Sequence, residues 1–236
     1  MHVVVMDHQR RQKQPVLHLI RHGQGYHNIP PGNYTLPDPY LTPFGVEQCR
    51  QLRQREFPEP LHDSPGLPGI HEFPRRKISL IATSPMTRAI QSAFEIFRPI
   101  LTDNHTDGRE TGDQTNIPPP FIALPDAQES STDACDIGQD PAVLARTCAT
   151  NGWPIDLSLV HDGWNDKSTP GSRYSPASKA IFRRARDTRV FLRDAARRLV
   201  AEGLTDVQIV LVAHGGFMHY LTGDWEDAGK YRRRDG

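Results

Sequence analysis

Three short segments of this 236-residue chain carry side chains able to handle a phosphate-like anion. Arg21 and His22 follow an apolar run, Arg88 stands three residues after Pro85, and His214 precedes Gly215 and Gly216 late in the chain. A guanidinium fork matches the oxygens of a tetrahedral oxyanion, and an imidazole can attack phosphorus or pass a proton. Each residue alone has an ordinary reading: a histidine at a strand end is usually structural, an arginine in a helix usually solvated, and Asn28 a turn residue. Brought together, two arginines and two histidines form an anion site.

They converge only if the elements before them end at a common edge. Residues 16–20 are apolar apart from His18, with β-branched Val16 and Ile20, which suits a buried strand, and deliver Arg21-His22-Gly23 to its end. Thr42-Pro43 is a cap-and-proline helix start, followed by Phe44, Val46, Cys49 and Leu52 on one helical face. Residues 61–76 are too rich in proline and glycine for a regular element. The run 78–83 reads as a second strand, and Ser84-Pro85 repeats the start signal, placing Arg88 in a helix's first turn.

Residues 102–120 are polar and aperiodic, an expected flexible insertion in an otherwise single domain spanning 1–236. A short strand at 121–124 leads into an acidic loop, 125–140, that carries Asp126 and Glu129. A helix is expected over 176–202, with Ile181, Ala185, Thr188, Leu192, Ala195 and Leu199 on one face and the arginines between them read as a solvated face. Residues 207–213 form the last strand and hand over His214. Alternating strands and helices predict an α/β three-layer sandwich: a mostly parallel central sheet with helices on both faces and a ligand crevice at the strands' carboxyl ends.

In that order, LIRHGQGYHN, TSPMTRAIQSA and VAHGG resemble the three signature segments of the histidine phosphatase superfamily, in its phosphoglycerate mutase-like branch. The stretches LPDAQESSTDACDIGQDPAVLA, DLSLVHDGWNDKS and AHGGFMHYLTGDWED are similar to a fungal subgroup of phosphoglycerate mutase-like proteins. The resemblance implies hydrolysis of a small phosphorylated metabolite in two steps: His22 attacks phosphorus to form a phosphohistidine, and water then releases phosphate. It places Arg21, Asn28, Arg88, His214 and Gly215 around the phosphoryl oxygens. Glu129 is implied as general acid and then base, with Asp126 three residues away as its rival.

The glycolytic mutases of this superfamily carry a tyrosine and basic residues soon after their acidic catalytic residue. Residues 130–139 supply neither, which favours hydrolysis over phosphoryl return to a second hydroxyl. A catalytically silent phosphate-binding scaffold is the third reading. After Trp225 the sequence EDAGKYRRRDG is short and basic, where related proteins often continue with a tail that covers the pocket.

Composition narrows the partners. Lys plus Arg equals Asp plus Glu at 28 each, so no net field draws in nucleic acid or an anionic membrane. The arginines at 183, 184, 186, 189, 193, 197 and 198 are interrupted by Asp187, Asp194 and Glu202, unlike a nucleic-acid stripe. Cys49, Cys135 and Cys148 lack metal or disulfide spacing, which suits a reducing compartment. Val3 to Val5 are too few for a membrane span, so a cytoplasmic protein is expected. His18, His22 and His27 have no carboxylate to complete a metal set, and neither metal nor cofactor is expected.

Overall fold

The computed structural model describes residues 13–58, 77–102 and 117–225. Four strands, β1 (Val16–Arg21), β2 (Ile78–Thr83), β3 (Phe121–Ala123) and β4 (Gln208–Ala213), form one sheet in the order β1-β4-β2-β3. Every pairing is parallel, and β1 and β4 run in register from Val16 opposite Gln208 to Arg21 opposite Ala213. Hence His22 and His214, each one residue further on, leave the sheet side by side. Burial on both faces leaves every residue of β2 and β4 buried, with unbroken apolar runs at Leu80–Ala82 and Ile209–Ala213 rather than alternation, as in parallel strands under two helical layers.

One face packs against α1 (Pro43–Glu56), α2 (Thr87–Thr102) and α3 (Pro141–Thr150), through Cys49, Ile90, Phe94, Leu144 and the strand residues Ile81, Val210 and Val212. The other packs against α4 (Ser178–Ala201) and α5 (Gly215–Thr222), through Ile181, Ala185, Leu192, Phe217 and the intervening strand residues Leu80, Ala82, Ile209 and Leu211. The alternation of the two residue sets along β4 is the two-residue period of a strand. The expected three-layer α/β sandwich is therefore what forms.

The helix starts show how local signals and tertiary contacts divide the work. Thr42 caps α1 as expected, its Oγ1 accepting from Gly45 N at 2.9 Å with Pro43 in the first position. At α2 the cap is not Ser84. Asp38, brought from the loop before α1, accepts from Thr87 N at 3.0 Å and Thr87 Oγ1 at 2.6 Å. Asp38 adopts φ +36°, a left-handed conformation that costs a non-glycine residue about 1 kcal/mol or more and is held here by those bonds.

Helix α3 is an element that sequence reasoning omitted. Trp164 is fully buried, with Nε1 donating to Gln139 O at 3.1 Å. Of the proposed insertion, residues 103–116 lie outside the described residues, as do most of the proline-rich connection and the chain after Trp225. No helix among the described residues is long and apolar enough to cross a membrane.

Glycine is required where α1 meets the loop leaving β1. A Cβ at Gly45 would lie 2.2 Å from Gln24 O and 2.9 Å from Gln24 N, both backbone atoms. Gly45→Ala should lower stability by about 1–3 kcal/mol, the usual cost of overpacking, measurable as a drop in the urea midpoint at constant slope. A midpoint within error of the wild type would contradict the close approach.

Candidate active site

The centre of the site is the Arg88 guanidinium, delivered by the first turn of α2 and only 1% exposed. Its Nε donates to His22 Nε2 at 3.2 Å, its Nη1 to Cys135 O at 2.5 Å, and its Nη2 to Asp136 Oδ1 at 2.7 Å. Nη2 also lies 3.3 Å from His214 Nδ1. One planar group thus fixes both histidines, whose ring centroids are 5.1 Å apart.

The partners assign the tautomers. His22 Nδ1 is 2.7 Å from Gly23 O, a pure acceptor, so Nδ1 carries the proton and Nε2 keeps its lone pair. His214 Nδ1 faces a pure donor, so it accepts, and His214 Nε2 donates to Ser84 Oγ at 2.8 Å. Burial, and after it the charge of Arg88, holds both imidazoles well below their ordinary value of 6.5. Both are neutral at pH 7, as a nucleophilic nitrogen must be.

Arg21, at the C-terminal end of β1, packs against the first turn of α5. A Cβ placed on Gly215 would lie 3.4 Å from its Nε. Asn28 ends a 3-10 turn, Tyr26–Asn28, and its Oδ1 accepts from Gly25 N at 3.0 Å. Within the same turn His27, which sequence reasoning weighed only as a metal ligand, is buried with its ring 5.8 Å from that of His22. Burial, with Arg88 second, lowers His27 to about 4.

Glu129 and Asp126 part company. Glu129 lies against the N-terminus of α5: Oε1 accepts from Phe217 N at 2.9 Å and Ser130 N at 2.8 Å, and Oε2 from Gly216 N at 3.1 Å. A Cβ on Gly216 would lie 2.5 Å from Glu129 Oε1, so a larger residue there would displace the carboxylate. Asp126 points the other way, its two oxygens held by Arg173 at 2.8 and 2.5 Å, with Asp187 on the same guanidinium. The rival carboxylate is thus spent in an ion-pair network on α4.

Three further residues escaped sequence reasoning. Asp136, beside the Arg88 guanidinium, also accepts from Ser131 Oγ at 2.6 Å. Lys167 is 4% exposed and donates to two loop carbonyls, and Arg184, read as part of a solvated face, is fully buried. The motif segments gave local signals; the bonds by which these three join the site span 36 to 58 positions of sequence.

Asp133, Cys135 and Asp136 gather closely enough to suggest a cation site. The fit fails on chemistry. Asp136 is already shared by Arg88 and Ser131, and burial pushes the Cys135 thiol up to about 12, away from the thiolate a metal needs. His18 turns to Gln208 Oε1 at 2.8 Å instead of joining His22.

The parallel sheet covered by helices on both faces is a fold shared with a solved phosphatase. The ecdysone phosphate phosphatase of Bombix mori, solved in complex with tungstate, superposes with TM-score 0.53 at 11% identity, covering 94% of this chain and 82% of that one. The alpha-ribazole phosphatase of Shigella flexneri aligns at 17% identity and TM-score 0.39, over 86% of this chain and 75% of the other. A phosphoserine phosphatase mutant of Entamoeba histolytica, in complex with phosphoserine, aligns at 17% identity and TM-score 0.37, over 86% and 76%. No family model and no curated protein matches the sequence.

The neutral histidines make stability depend on acid in a definite direction. Unfolded imidazoles take up protons near pH 6.5, whereas His22, His27 and His214 bind them in the folded protein only at lower pH. The contribution is whole above pH 6.5 and is lost as pH falls, down to about pH 4 for His27. Urea unfolding should weaken over this range, and His27→Gln should make the profile shallower. A flat profile between pH 6.5 and 4 would place these imidazoles in water.

Proposed function

We propose that the protein is a metal-independent phosphoric monoester hydrolase acting on a small phosphorylated metabolite through a phosphohistidine at His22. The observation that carries this reading is the tautomer of His22: Gly23 O holds the Nδ1 proton, leaving Nε2 as a neutral, buried lone pair beside a guanidinium. Nitrogen lone pairs attack phosphorus only when unprotonated, and attack in line is mostly a matter of positioning and charge stabilisation.

In the first step His22 Nε2 bonds to phosphorus as the P–O bond to the leaving group breaks. Arg21 at the end of β1, Asn28 in the 3-10 turn that follows, Arg88 behind His22 and the Gly215 amide at the start of α5 surround the transferring oxygens. Arg88 must give up its 3.2 Å bond to His22 Nε2 as that nitrogen turns to phosphorus, which frees an N–H for a phosphoryl oxygen. His214 contributes its ring edge once it exchanges Ser84 for the anion. Removing one such donor commonly costs a factor of about 10² to 10³ in rate.

The leaving alkoxide takes its proton from Glu129. Oε2 accepts a single 3.1 Å bond, whereas Oε1 accepts three, so Oε2 is the oxygen open to a proton. In the second step Glu129 removes a proton from water, which attacks phosphorus and returns His22 unmodified. The tetrahedral oxyanion held by the silkworm enzyme of similar fold suits the same donor set.

The test is steady-state hydrolysis of a panel of phosphate monoesters with and without EDTA, together with trapping of an acid-labile phosphoenzyme. His22→Ala should abolish turnover and trapping, while EDTA leaves both intact. With His22 held well below 6.5, the acid limb of activity should fall below pH 6.5. Phosphate binding without turnover on any ester would support a silent scaffold instead.

A further inference from the structure

We propose that Lys167 and Arg184 are positioning residues that together fix the backbone at Glu129 and so aim its carboxylate, an inference that rests on Glu129 being the proton donor. Two peptide planes meet at the Glu129 Cα. The carbonyl of the first, Gln128 O, accepts from Arg184 Nη1 at 2.9 Å, and that of the second, Glu129 O, accepts from Lys167 Nζ at 2.7 Å. Each cation also takes a second carbonyl further out, Asp126 O at 2.8 Å for Arg184 and Ser131 O at 2.8 Å for Lys167. With both flanking planes held, neither φ nor ψ of Glu129 is free to turn.

The clamp is tied to the rest of the site at both ends. Arg184 lies over the Phe217 ring, 5.3 Å from its centroid, and the Phe217 amide is a donor to Glu129 Oε1. Ser131, whose carbonyl Lys167 holds, donates through Oγ to Asp136, the partner of Arg88. Gln128 Nε2 donates to Trp164 O at 2.7 Å, joining the loop to the segment that carries Lys167.

A purely structural role accounts poorly for these side chains. Burying an ammonium or guanidinium without a directly bonded carboxylate costs several kcal/mol, and an apolar side chain of similar volume is normally more stabilising. That cost is visible in the groups themselves: burial lowers Lys167 to about 8 and Arg184 to about 10. A fixed cation offers two things a methionine does not. It collects two carbonyls at once, and it stabilises the negative charge that appears on Glu129 when the proton leaves.

The experiment compares Lys167→Met and Arg184→Met with Glu129→Gln and with the wild type, on an alkyl phosphate and on p-nitrophenyl phosphate. The nitrophenolate leaves without a proton, so losing an aimed acid should spare it. Expected is a fall in kcat of about 10- to 100-fold on the alkyl ester, within the 10² to 10⁴ that general acid catalysis contributes, with KM nearly unchanged and the aryl ester little affected. In the Glu129→Gln background the same substitutions should have no further effect. Equal losses on both esters, or effects that add to Glu129→Gln, overturn the clamp.

Amide hydrogen exchange at Ser130, Gly216 and Phe217, which donate to the Glu129 carboxylate, gives a readout independent of turnover. Faster exchange at these three in the variants, with global stability retained, is expected; unchanged exchange overturns the proposal. A wild type inactive on every ester sinks the hydrolase reading, and the exchange result then decides the clamp alone. Should Lys167→Met fail to fold, Lys167→Gln, neutral but still a donor, is judged by the same criteria.

Discussion

The interaction on which the site depends is the buried guanidinium of Arg88. A cation so fully enclosed is tolerable only if every donor direction meets an acceptor, and here the acceptors are a carboxylate, a backbone carbonyl and two imidazoles. The requirement works in both directions. Asp136 and the Cys135 carbonyl hold the guanidinium in place, and the guanidinium holds the histidines in one tautomer, uncharged. Strands β1 and β4 bring the two rings together; Arg88 determines how they face.

Around this centre the chain uses two kinds of support. His214 leaves the end of β4, whose two faces are both filled by core residues, whereas His22 leaves the end of β1, which is largely exposed and enters the core through Ile20. The loop carrying Glu129 enters the core at Leu124 and Ala127 and beyond them runs through polar contacts: the α5 amides at its carboxylate, Lys167 and Arg184 at its carbonyls, and Arg173 drawing Asp126 outward. That difference sets which parts of the site respond to pH and salt and which respond to changes in core volume.

Much of the fold was legible because its signals are local. The apolar runs became strands within one residue of their expected ends, Thr42-Pro43 opened α1, and Arg88 stands in the first turn of α2. Helix α3 was missed because only Leu144 and Cys148 are fully buried along it, too few to mark an apolar face. Ser84-Pro85 signalled the start of α2, yet its capping bonds come from Asp38, 49 positions earlier. Asp136, Lys167 and Arg184 give no local signal at all. A buried ion looks in sequence like a solvated one, and only the acceptor across the fold distinguishes them. Glu129 was preferred to Asp126 only on its place in the loop, and the partners that distinguish the two carboxylates, the α5 amides and Arg173, come from across the fold.

Among the described residues, strand β1 pairs with β4 alone and lies at one edge of the sheet, where Val16 and Leu17 remain 42% and 43% exposed. Edge strands open locally at lower free energy than central ones, without the domain unfolding. His22 is therefore carried by an edge strand, while Arg88 and His214 are rooted beside the central ones. On gentle heating, the contact between His22 and Arg88 would be lost while far-ultraviolet helicity and core tryptophan fluorescence still report a folded protein, and it would return on cooling without a refolding lag.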